Sequence, residues 1–357
     1  MLALDGDEIG KWISGEKTPR FKHQFSDYFD GSGVQRQGAL RYFEGNGGAD
    51  LLETSRALSP SYHLQFSQAL SNFALRCARQ VVEAHFGRLI YAGGDDVLAM
   101  LPADTALECA QALRNAFQGR TVENTNLASP ATGYLSIDKD QSGQPIAFVV
   151  PGPAAEVSVG IAIAHFKSPL QDVVREAQKA EKRAKNQLSR AAVAVSLLKR
   201  SGEITEWGAK WDSGGLALYE AIAKALNDGR ISGKFPHRVC ELLEPYITIR
   251  TGVSKQADAI ADQKTATELI QKEFSHAAER QGSESAAEAL RGPLSGYLKS
   301  LAENYQEAEA ADNEGDRPPL KASLTQTLLA SVIGLCTTVA FAHRTNHDKE
   351  TRPPKGS

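Results

Sequence analysis

Blocks of apolar and polar positions set out a layered order along the chain. Leu2, Ala3 and Leu4 form a short apolar run that stops at Asp5. Residues 61–86 place Leu64, Ala69, Leu70, Phe73, Ala74, Cys77, Val81 and Val82 at the i, i+3, i+4 spacing of an amphipathic helix. Residues 88–92 and 97–101 read as the two strands of a hairpin. A helix over 105–117 follows, with Asp104 expected as its N-cap. Residues 128–153 are rich in turn formers and leave room for an extra hairpin. Residues 157–165 alternate as a strand, 170–187 carry a charged amphipathic helix, and 191–198 a further strand. The order is βαββαβαβ, a ferredoxin-like domain with an added strand. Residues 14–60 are rich in Gly, Ser and charge and read as an insertion with one or two short helices.

From Gly214 the periodicity is helical, at 216–226, 238–246, 257–280, 286–305 and 320–343, punctuated by Pro236, Pro245 and Pro293. The acidic stretch 307–319 reads as a loop, and 344–357 as a disordered tail. The expected class is α+β: a ferredoxin-like domain over 1–212, interrupted at 14–60, then an all-helical domain over 213–343.

Composition narrows the classes. The 357 residues are 41% apolar and 23% charged with a net charge of −3, which suits a globular chain and gives no global footprint for free-standing nucleic-acid binding. A local basic face remains, because Lys179, Lys182, Arg183, Lys185 and Arg190 crowd one segment. Cys77, Cys109, Cys240 and Cys336 are far apart, with no C-x-x-C, and are expected to be reduced core residues of a cytoplasmic protein. The longest apolar run, residues 328–342, has 15 positions, short of the ~20 that span a bilayer, so a buried helix is expected and no membrane partner.

The chemistry concentrates in two acidic turns. Residues 91–101 read Y-A-G-G-D-D-V-L-A-M-L. Adjacent acids at a hairpin tip repel unless a cation holds them. Gly93 and Gly94 let the backbone turn sharply and a phosphate come close. The chain opens with L-A-L-D-G-D-E-I-G, so Asp5 and Asp7 flank Gly6 at a strand end. Mg²⁺ takes one or two carboxylates plus substrate phosphates. Asp5, Asp95 and Asp96, with the Gly6 carbonyl, are therefore candidate ligands for Mg²⁺ or Mn²⁺, and two ions would sit roughly 3.5–4 Å apart for phosphoryl transfer. A lone D-G-D also fits a solvated turn, and Asp7 is as good a cap for that turn as a ligand. His63 and His165 have no acid or metal partner by spacing and read as structural.

The succession D-G-D-E-I-G, helical region, Y-A-G-G-D-D-V-L-A, strand and Lys-rich helix resembles the palm domain of nucleotide cyclases and polymerases. It is most similar to the cyclase-like palm in the large subunit of type III CRISPR–Cas effector complexes (the Cmr and Csm systems). G-G-D-D in place of G-G-D-E-F, and V-S-L-L-K-R-S-G-E-I-T-E-W-G-A-K-W over 195–211, favour that branch. The resemblance covers residues 1–212. It implies metal-dependent conversion of ATP to cyclic oligoadenylate in antiviral defence, with Asp5, Asp95 and Asp96 catalytic. The helix A-Q-K-A-E-K-R-A-K-N over 177–186 resembles the segment whose lysine contacts triphosphate, which falls on Lys185, with Lys182 one turn earlier. Ser67 falls where this branch places a base-contacting serine. Implied partners are the other effector subunits, guide and target RNA, and a second palm, as a homodimer or on a separate chain.

Large subunits of this kind carry an HD nuclease, a first palm and a zinc-binding region ahead of such a palm. By that resemblance the chain reads as a truncated or split version, a fragment or a distinct short lineage, and His347-Asp348 does not replace the nuclease motif. Two other readings stand beside the enzyme: a non-catalytic scaffold of the same complex, and a diguanylate cyclase. The last lacks its R-x-x-D inhibitory site, since Phe86, Gly87, Arg88, Leu89 and Ile90 precede the turn.

Overall fold

A computed structural model describes residues 1–22, 34–139, 143–247, 262–313 and 323–350. Its strands are β1 (Leu2–Gly6), β2 (Arg88–Gly93), β3 (Asp96–Met100), β4 (Ala128–Ala131), β5 (Tyr134–Lys139), β6 (Pro145–Val149), β7 (Val157–Ile163), β8 (Ala192–Leu198) and β9 (Ile204–Lys210). Its helices are α1 (Ile9–Ile13), α2 (Val34–Gly45), α3 (Ala49–Glu53), α4 (Pro60–Asn72), α5 (Ala78–Ala84), α6 (Ala106–Phe117), α7 (Leu170–Asn186), α8 (Gly215–Asn227), α9 (Phe235–Leu243), α10 (Gln263–Gln281), α11 (Glu284–Asn313) and α12 (Leu324–Glu350). One sheet runs β2-β3-β1-β7-β8-β9 and a second runs β4-β5-β6.

β7 is buried at every position, as a strand covered on both faces must be. On one face, α7 presents Ala177, Ala180 and Ala184, all fully buried. Gly160 lets that helix settle on the strand: a Cβ there would lie 2.1 Å from Glu181 N and 2.2 Å from Ala177 O. On the other face, the π-helical turn between α4 and α5 supplies Phe73, α5 supplies Val81, and α6 supplies Leu113 and Phe117, with Phe73 and Phe117 edge-to-face at 4.9 Å. Each such large side chain contributes about 1.5–3 kcal/mol by leaving water. β1 lies between β3 and β7 and is antiparallel to both, which brings its C-terminal end to the β2–β3 turn.

The α+β class and the expected core order hold, with β9 added at the edge. Between α6 and β7 stands a three-stranded sheet where one hairpin was expected. The helix over 61–86 carries a π-helical turn, Phe73–Cys77, between α4 and α5, and Leu64 is 72% exposed rather than core. Asp104 is not the cap of α6. That position belongs to Thr105, whose hydroxyl donates to His85 O at 2.9 Å instead of capping the helix.

The later helices pack on the sheet's β9 edge and share one hydrophobic cluster with it. Trp207 Nε1 donates to Tyr297 Oη at 3.1 Å, and Gly334 of α12 passes so close to β9 that a Cβ would meet Glu206 O at 2.8 Å. Pro293 lies inside α11 without ending it, and α11 continues to Asn313 through residues expected to be loop. α12 likewise runs to Glu350 through part of the expected tail. In α11 the added turn reads Gln306, Glu307, Ala308, Glu309, Ala310 and Ala311, good helix formers that carry no apolar stripe. The expected segments 257–261, 314–322 and 351–357 lie outside the described residues. Leu324–His343 is long and apolar enough to cross a bilayer by length and composition, yet half of its most apolar window is buried, and α12 packs on β9, α8 and α9.

Candidate active site

The register builds the site. Leu4 pairs with Val97 across β1 and β3, and Gly93 pairs with Asp96 across the hairpin. One step beyond the first pair, Asp5 stands across from Asp96. Gly94 adopts φ +67°, the left-handed conformation that closes the turn, and no atom lies within 4 Å of where its Cβ would be. Gly6 is indispensable in another way. A Cβ there would lie 2.8 Å from Asp95 Cβ and 3.0 Å from Asp95 Oδ2, so the second acid rests directly on the end of β1.

The three carboxylates meet. Asp5 is within hydrogen-bonding reach of both Asp95 and Asp96. Burial, then the charges of Asp5 and Asp96, push the Asp95 carboxyl up to about 6. Burial and the Asp5 charge also raise Asp96, against the pull of Lys185. Lys185 Nζ donates to Asp5 Oδ2 and lies 3.0 Å from Glu181 Oε1. Burial alone would lower this lysine, but its contacts with Asp5 and Glu181 outweigh burial and hold the ammonium charged.

Among the described residues, no group of three His, Cys, Asp or Glu side chains encloses a metal unaided. The turn offers hard oxygen donors with surplus negative charge, in a set that fits an ion completing its shell with phosphate and water. Asp5, Asp95 and Asp96 are the side chains that could hold such an ion.

The other candidates divide. Gly93 is less open than Gly94, because the Tyr91 hydroxyl folds back to 2.0 Å from where its Cβ would stand. Lys182 is exposed on α7 one turn before Lys185. Ser67 is exposed on α4. That helix is tied to α1 beyond the acid turn: Tyr62 Oη donates to Trp12 O at 3.0 Å, and Phe66 stacks on Trp12 at 6.3 Å. Arg183 does not belong to the basic face. It turns inward to donate to Val195 O at 2.7 Å and Glu206 Oε1 at 2.8 Å. Asp7 is not a solvated cap. It is 4% exposed, accepts from Ser158 Oγ at 2.8 Å and from Ala191 N at 2.8 Å, and burial raises its carboxyl above the usual range. His63 is exposed and His165 half-buried, and His165 Nε2 meets Arg200.

Glu181, Tyr91 and the buried role of Asp7 escape a reading of sequence. Glu181 alone carries a local signal, since it precedes Lys185 by four residues on one helix.

The family model described as Cas10/Cmr2, second palm domain, matches residues 1–194. The CRISPR system Cmr subunit Cmr2 of Pyrococcus furiosus is 35% identical over 207 residues, 57% of this chain and 18% of that protein. The CRISPR system CMR subunit Cmr2 of Saccharolobus solfataricus is 30% identical over 141 residues, 39% of this chain and 12% of that protein. The chain thus spans less than a fifth of the length of either relative. The cryo-EM structure of Type III-B Cmr-beta in the apo state matches over 79% of this chain and 34% of that one, at TM-score 0.51 and 16% identity. The same assembly bound to cognate target RNA matches over the same shares, at TM-score 0.51 and 18% identity. At such identity these two carry the fold alone. With the family model covering more than half of its length, the chain belongs to the Cas10/Cmr2 family, the large subunits of type III CRISPR–Cas effector complexes, and carries their second palm domain.

Proposed function

We propose that the chain is the catalytic palm of a type III effector large subunit, converting ATP to cyclic oligoadenylate by metal-dependent nucleotidyl transfer. The observation that carries this reading is the convergence of Asp5, Asp95 and Asp96 from two strand ends, with Lys185 paired to Asp5. In the proposed step a ribose hydroxyl attacks the α-phosphate of ATP and pyrophosphate leaves. Mg²⁺ or Mn²⁺, when bound, would offset the charge that develops on the phosphoryl oxygens. Asp5 and Asp96 would ligate the ion with the Gly6 carbonyl, and Asp95 would hold or orient a second. Lys185, reinforced by Lys182, would bind the triphosphate, Gly94 would let it approach the backbone, and Ser67 would contact the base.

The acceptor hydroxyl must come from a second nucleotide, so we propose that this palm works against another, in a homodimer or on a separate chain. The exposed face of β3 supports this. It carries Asp96, Leu98 and Met100, with Met100 49% exposed, on the side where α7 covers the neighbouring strands. We also propose the palm boundary near residue 212, with the helices after it meeting other effector subunits, guide RNA and target RNA. The test is incubation of the assembled complex with labelled ATP, Mg²⁺ or Mn²⁺ and target RNA. Oligoadenylate that disappears in the Asp95→Ala/Asp96→Ala variant supports the enzyme. An assembled complex that makes no product under any of these conditions supports the scaffold reading, which the Lys185–Asp5 ion pair favours because it already neutralises one acid. GTP in place of ATP separates the diguanylate cyclase.

A further inference from the structure

Three consecutive non-glycine residues between α7 and β8 lie in the left-handed region: Ser189 at φ 57°, Arg190 at 63° and Ala191 at 47°. Each such residue costs on the order of 1–3 kcal/mol and persists only where its surroundings over-determine it. The bonds that do so are specific. Arg190 N donates to Ala184 O at 3.1 Å, which ties the turn to the last residues of α7. Ala191 O accepts from Trp211 N at 3.0 Å. Ala191 N donates to Asp7 Oδ2 at 2.8 Å. Asp7 is itself fixed, since its amide donates to Glu156 O at 2.8 Å and its carboxylate accepts from the fully buried Ser158 hydroxyl.

The end of α7 is therefore held to the end of β1 at two points. At the first, Lys185 reaches Asp5, two residues before Asp7 and at the edge of solvent. At the second, Ala191 N is bonded to the carboxylate of Asp7, a residue 4% exposed. The first contact is exchangeable: a divalent cation on Asp5 competes with the ammonium for the same oxygen. The second involves neither Asp5 nor Lys185.

We infer that Asp7 is a positioning residue, which anchors the α7–β8 turn so that Lys185 stays aimed at the acid turn after Asp5 has given up its ion pair to a cation. This rests on the nucleotide-binding reading above. Without the anchor, the strained turn would relax and α7 would lose its fixed end beside Asp5 at the moment the triphosphate needs the lysine.

The test uses the full chain with its copurifying partners, Mn²⁺, and an ATP analogue with a methylene bridge between the α- and β-phosphates. Binding of the analogue and the melting temperature are measured for Asp7→Ala, Asp7→Asn, Lys185→Ala and the Asp7→Ala/Lys185→Ala pair. Asp7→Ala is expected to weaken binding by about tenfold or more, the scale at which supporting groups of a metal site act. Lys185→Ala should weaken it similarly, and the pair no further than the worse single, because both act through one lysine. Asp7→Asn should bind within about twofold of the parent, since its carbonyl can accept from Ala191 N and its amide can donate to Ser158 Oγ.

A folded Asp7→Ala that binds as the parent does, or losses that multiply in the pair, would overturn the inference. If Asp7→Ala does not fold, Ser158→Ala replaces it. A weakening that vanishes in the Lys185→Ala background upholds the inference, and unchanged binding refutes it. Asp5→Ala/Asp96→Ala separates the two levels. If that variant binds Mn²⁺ and analogue normally, the nucleotide reading fails. If it loses them while Asp7→Ala does not, only the anchor fails.

Discussion

Replacing Asp95 with Asn should stabilise the metal-free chain at neutral pH. The carboxyl is raised from the ordinary aspartate value of 3.8 to about 6 by burial against Gly6 and by the charges of Asp5 and Asp96. One pKa unit corresponds to about 1.36 kcal/mol, so the penalty has a ceiling of ~3 kcal/mol. The side chain is only partly buried, and solvent screening brings the expected gain to about 1–2 kcal/mol. The sign follows from linkage. A carboxyl whose folded pKa is raised costs nothing below its unfolded value, and the cost grows as pH rises through the folded one. Urea unfolding in a chelator should therefore show the Asn variant ahead by the full amount near about pH 7.5, with most of the difference gone near about pH 4. Saturating Mg²⁺ should reverse the order, because an ion at about 100 times its Kd stabilises the parent by roughly 2.7 kcal/mol, and the variant has lost a ligand. An Asn variant less stable than the parent at neutral pH in chelator, or ahead by the same margin at both pH values, would refute the picture of three repelling acids.

Other expectations are more local. Gly160→Ala should cost at least about 3 kcal/mol in urea unfolding, because its Cβ would lie 2.1 Å from Glu181 N and must push α7 off the sheet. Ser189→Gly should raise stability by about 1 kcal/mol with the fold unchanged, since it relieves a left-handed residue at φ 57°. Arg114→Ala should cost about 3 kcal/mol, because the buried guanidinium donates to both oxygens of Glu156, at 2.9 and 2.6 Å, and its loss leaves that acid without its counter-ion. Calorimetry or a denaturant midpoint checks each.

The acid turns were legible in sequence because their signals are local. An apolar run ending in Asp5, and two glycines before Asp95 and Asp96, each announce a strand end, and antiparallel pairing then brings the ends together. Lys185 was reachable only through family resemblance, since its partner Asp5 is 180 positions away. The anchor at Asp7 carried no signal, because both of its partners, Ser158 and Ala191, are remote and ordinary in type. The helices after residue 214 were found by apolar spacing, and their ends were missed where Ala, Glu and Gln extend a helix without an apolar stripe. Pro293 lies inside α11, as it does in the helix expected over 286–305. Proline is a strong local breaker, but the packing that keeps α11 continuous is tertiary.

A cryo-EM or crystal map of the chain with Mn²⁺ and the methylene ATP analogue bears most directly on the acid turn. The expected map has manganese bonded to Asp5 and Asp96, the triphosphate beside Gly94, and Lys185 moved from Asp5 onto phosphate oxygen. Manganese and nucleotide bound elsewhere, with Lys185 still paired to Asp5, would contradict the assignment of these carboxylates to catalysis.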